Sequence, residues 1–85
     1  MNTIEKNRKK IDKIDEKIIK NLITRFKLTN EIGRYKKKND IKIKDLKREK
    51  EIFDNIYKYT DNKKEQDNIK EIYKKILLVS KRNQV

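Results

Sequence analysis

The sequence predicts an all-α fold of three helices, one long and two shorter, completed as an intertwined homodimer. Three observations carry this. Pro is absent and Gly occurs once among 85 residues, so little in the chain interrupts a helix. Lys, Glu, Ile and Leu, all compatible with helices, dominate the composition. Apolar residues recur three and four positions apart, the period of an amphipathic helix.

The first helix is expected from about Ile4 to Lys38, ending where Asn39-Asp40 begins a break. At 1.5 Å per residue it is about 50 Å long, too long to fold back within so short a chain. Long helices that pair with those of a second copy, with the shorter ones wrapped around them, are the natural completion. After a short β-branched stretch, Ile41 to Ile43, Asp45 is placed to cap or open the second helix, about Asp45 to Tyr59. Thr60-Asp61-Asn62 forms the next loop, and a third helix is expected from Glu65 to Asp67 through about Arg82. No internal repeat or low-complexity linker divides the chain, so residues 1–85 read as one domain.

Composition removes several classes of function. Without Cys or His there are no disulfides, no thiolate or imidazole metal ligands, and no triad built on a Cys nucleophile or a His base. No run approaches the roughly 20 apolar residues of a membrane span, and MNTIEKNRKK lacks the apolar core of a signal peptide. A cytoplasmic location with no membrane partner follows as the expectation. The net charge of +12 would suggest nucleic acid. However, Lys far outnumbers Arg while Ile and Asn are abundant, the bias of an A+T-rich genome. Lys is scattered around all three helices, and Tyr35, Tyr57, Tyr59 and Tyr73 form no stacking platform, so a nucleic-acid-binding module ranks as a distant alternative.

The informative residues are charged groups on apolar faces. In the first helix Ile11, Ile14, Ile18, Leu22 and Ile32 form one stripe, and Arg25 lies within about 40° of four of them. Lys36, eleven residues on, returns to within about 20° of Arg25, with Thr29 and Ile32 between. In the second helix Glu49 shares the face of Phe53 and Ile56, with Asp45 a turn earlier and Arg48 beside it. In the third, Ser80 continues the stripe Ile69, Tyr73, Ile76, and Gln84 lies one turn beyond. Buried charges are costly unless paired or held for a ligand. An Arg25–Glu49 ion pair would satisfy two of them, and Glu49 could also serve as a surface partner of Lys50. Taken across three helices, cations outnumber acids on these faces and call for an anion. Arg8 lies about 25 Å along the helix from Arg25 and about 100° off its face, so it could meet that site only from a second, antiparallel copy.

These residues, in the order Arg8, Asp15-Glu16-Lys17, Arg25, Glu31-Ile32-Gly33-Arg34-Tyr35-Lys36, Asp45-Leu46-Lys47-Arg48-Glu49, Ser80 and Gln84, resemble the all-α chorismate mutases of the shikimate pathway. The resemblance runs from about Arg8 to Gln84, without a gap over the first two helices and with one residue fewer around Asn62. It implies an intertwined homodimer that converts chorismate to prephenate by a Claisen rearrangement without cofactor or metal. Each site would combine one chain's three helices with Arg8 of the other. By the same resemblance Arg25 and Arg8 hold the two carboxylates. Lys36 reaches a carboxylate and the ether oxygen, Gln84 donates to that oxygen, and Glu49 takes the ring hydroxyl beside Asp45. Arg48 supports the cluster and Ser80 lies near a carboxylate. The runner-up on this fold is an isochorismate-pyruvate lyase; the Asp45-to-Glu49 cluster favours the mutase. Gln84 is followed by Val85 alone, so its turn is expected to be weakly held, and feedback through an attached domain is not expected.

Overall fold

The structure is a computed structural model and describes residues 2–84. Three helices follow one another: α1 (Thr3–Lys38), α2 (Leu46–Ile56) and α3 (Lys63–Gln84). The all-α expectation is met. Asn2 caps α1, its side chain accepting from the Glu5 amide at 2.9 Å. The helix ends in a Schellman turn. Asp40 adopts φ 54°, and the Ile41 amide bonds back to the Lys36 carbonyl at 2.8 Å. Asp takes the left-handed position more readily than most residues other than Gly.

Two boundaries differ from those expected. The second helix stops at Ile56, because the amides of Tyr57, Lys58 and Tyr59 bond to carbonyls three residues back and tighten the chain into a turn. The third begins at Lys63, earlier than expected. Thr60 and Asn62 form a cap in which Asn62 Oδ1 accepts from the Glu65 amide at 3.0 Å, while the Thr60 hydroxyl donates to the Glu65 carboxylate at 2.5 Å. It also runs two residues further, to Gln84.

α3 packs against both α1 and α2. Contacts Glu49 to Lys81 and Tyr57 to Lys70 set α2 antiparallel to α3. Ile56 and Leu77 make the small core, joined by Gly33 and the nearly inaccessible Ser80. That core is thin for the number of apolar residues. Every residue from Asn2 to Asn21 is exposed, so the first half of α1 stands as an arm about 30 Å long with Ile11, Ile14 and Ile18 uncovered. The radius of gyration, 16.2 Å, exceeds the roughly 12 Å of a compact domain of this length.

Candidate functional site

A cavity of about 290 Å³ opens where the second half of α1, the start of α2 and the end of α3 converge. Arg25, Lys36, Asp45, Arg48, Glu49, Ser80 and Gln84 all line it. Seven of the eight residues singled out in the sequence are thus brought together; Arg8, on the exposed arm, is not. Leu28, Thr29, Ile32, Ile43, Ile52 and Leu77 supply the rest of the wall with Lys81, giving a largely apolar hollow with a few convergent polar groups.

Arg25, Lys36, Asp45, Glu49 and Ser80 are each held by a neighbour on another element or at a helix end. Arg25 Nη1 donates to Ser80 Oγ at 2.9 Å, and the Ser80 hydroxyl donates its own proton to the Ile76 carbonyl at 2.8 Å. Ser80 is 3% exposed and both bonds lie within the chain, so it fixes the guanidinium from behind. Lys36 Nζ donates to the Ile43 carbonyl at 3.2 Å, leaving two of its three protons for other acceptors. The Schellman turn directs the chain so that Ile43 can meet it. Asp45 caps α2 as expected, accepting from the Arg48 amide at 3.0 Å.

The Arg25–Glu49 pair considered from the sequence does not form. Arg25 goes to Ser80, and Glu49 Oε1 accepts from Lys81 Nζ at 3.0 Å. Nor is Glu49 a surface partner of Lys50, which bonds Asp54 at 2.7 Å instead. Glu49 Oε2 and Gln84 Oε1 are buried without hydrogen-bond partners, as is Asn30 Oδ1 outside the cavity wall. Arg48 points partly outward, its Nη1 3.2 Å from Glu51 Oε2. A second hollow of about 270 Å³, bounded also by Tyr59 and Tyr73, shares Arg25, Arg48 and Ile52 with the first.

A cavity walled by four cations and two carboxylates has an excess of positive charge suited to a small anion. The model of chorismate mutase type II matches residues 7–85. The chain belongs to this family. It is also 43% identical, over 56 residues covering 66% of its length, to a bifunctional chorismate mutase/prephenate dehydratase of Aquifex aeolicus (strain VF5). The chain spans 16% of the length of that relative. No solved structure matches the chain at a significant level.

Two residues beyond the eight candidates also shape the site. Lys81 is one. It follows Ser80 and so falls off the stripe that drew attention to that residue, yet it lies four residues after the buried Leu77 and thus on the same face. Gly33 is the other. As the chain's single glycine, buried inside a helix where glycine is unfavourable, it signals a close approach. What approaches it is Gln84.

Proposed function

We propose that the chain rearranges chorismate to prephenate, and that the cavity between its three helices is the active site. The observation that carries this is the convergence of Arg25, Lys36, Glu49 and Gln84 from three separate helices on one cavity, in a chain of the chorismate mutase type II family.

The reaction is a concerted [3,3] shift in which the ether C–O bond breaks as a C–C bond forms. No proton moves and no nucleophile is needed, so a chain without His or Cys suffices. Two things are required: a flexible dianion held compact, and donors aimed at the oxygen that gains charge. Arg25, locked by Ser80, offers its guanidinium fork to one carboxylate. The free protons of Lys36 and the amide of Gln84 serve the ether oxygen. The orphaned Glu49 Oε2 takes the ring hydroxyl, with Asp45 and Arg48 at the same end of the cavity.

The second carboxylate needs a further cation, which Arg8 of a second copy supplies. The uncovered stripe Ile11, Ile14 and Ile18 supports this reading, because an apolar helix face of that length is stable in water only when another helix covers it. The functional unit is then a homodimer with two shared sites.

Incubation of the purified chain with chorismate, followed by loss of chorismate absorbance and appearance of prephenate, tests the proposal. Release of salicylate and pyruvate from isochorismate with no action on chorismate would replace it by the lyase.

A further inference from the structure

Glu49 raises an electrostatic difficulty. A carboxylate in the wall of a cavity meant for a dianion repels its guest, and the repulsion strengthens as water leaves. The structure contains a remedy in Lys81. From α3 its ammonium reaches across to α2 and bonds Glu49 Oε1 at 3.0 Å, and both residues line the cavity. The pair is partly shielded, Lys81 being 33% and Glu49 21% exposed in their side chains. The carboxylate is thereby divided, with Oε1 committed to a cation and Oε2 buried and unpartnered.

We propose that Lys81 is a positioning residue of this site: by pairing with Oε1 it offsets the Glu49 charge toward the dianion and leaves Oε2 as the single acceptor for the ring hydroxyl. The inference rests on the chorismate reading above. It explains how an acid is tolerated beside Arg25 and Lys36 without cancelling their attraction for the substrate. With Lys81 committed to Glu49, those two cations remain unspent on acids within the chain.

The test is a double-mutant cycle read in KM and kcat for chorismate, with far-UV circular dichroism to verify helicity. Lys81→Met should raise KM about tenfold, with a smaller fall in kcat, and Lys81→Arg should recover most of the loss. In a Glu49→Gln background, where no charge remains to offset, Lys81→Met should change KM by less than about twofold. Should Lys81→Met lose helicity, Lys81→Gln removes the charge while keeping a donor and serves the same cycle. An unchanged KM in Lys81→Met, or an equal loss in both backgrounds, would overturn the assignment, since a mere strap between α2 and α3 acts regardless of the charge at residue 49. A wild-type chain that fails to rearrange chorismate overturns the functional reading and this role with it. A working wild type with an indifferent Lys81 overturns this role alone.

Discussion

Gly33 and Gln84 touch so closely that no side chain fits between them: a Cβ on Gly33 would stand 2.7 Å from Gln84 Cγ and 2.8 Å from its Cβ. The last turn of α3 is therefore seated on bare backbone of α1. This contact supplies the support that a residue so near the chain end was not expected to have, and it sets the depth at which the Gln84 amide meets the cavity.

Alanine at position 33 tests this seat. Alanine favours a helix interior over glycine by about 1 kcal/mol, so α1 itself should gain. The end of α3 must instead move away, and a displacement of about 1 Å at a reacting group costs on the order of a hundredfold. Gly33→Ala should thus lower kcat between about tenfold and a hundredfold while the melting temperature falls little. A kcat near wild type would show that Gln84 does not need this depth.

Removing the Ser80 hydroxyl should loosen Arg25 without breaking the helix, because its bond to Ile76 merely duplicates α3 bonding. Ser80→Ala is expected to raise KM roughly tenfold, in keeping with the loss of a hydrogen bond to a charged group. Helicity should be retained. Arg25→Lys should be worse, since an ammonium cannot reproduce the fork.

Sharing of sites between two chains makes a sharp prediction. Arg8→Ala and Arg25→Ala should each be nearly inactive, yet after verified subunit exchange each heterodimer should hold one complete site of its two. No recovery, or a monomer by analytical ultracentrifugation, would place the second cation elsewhere.

Activity should be nearly flat across the neutral range. The donor amide of Gln84 does not titrate, and the chain has no His or Cys, whose ordinary ranges would bring a charge change near pH 6–8. A steep change in kcat/KM between about pH 6 and 8 would count against these roles.

Asp45 carries a separable structural role. Asp45→Ala removes the cap of α2 and should cost about 1 kcal/mol, a fall of roughly 4–8 °C in melting temperature for a domain of this size. Asp45→Asn should retain most of that stability, because its amide oxygen caps equally well.

The helices were legible because helical periodicity is local: the spacing of Ile69, Tyr73, Ile76 and Ser80 needs nothing beyond the sequence. So too was the presence of inward-facing charges, since a wheel fixes which face Arg25, Lys36 and Glu49 occupy. The partners of those charges were not legible. Arg25 chooses Ser80 over Glu49, and Glu49 chooses Lys81, through contacts between residues 55 and 32 positions apart. Such choices depend on the angle and depth at which α3 settles against α1 and α2, and that depth is set where Gly33 lets the two backbones meet. Periodicity thus gives each helix its faces, while only packing decides which atoms on those faces come within hydrogen-bonding reach.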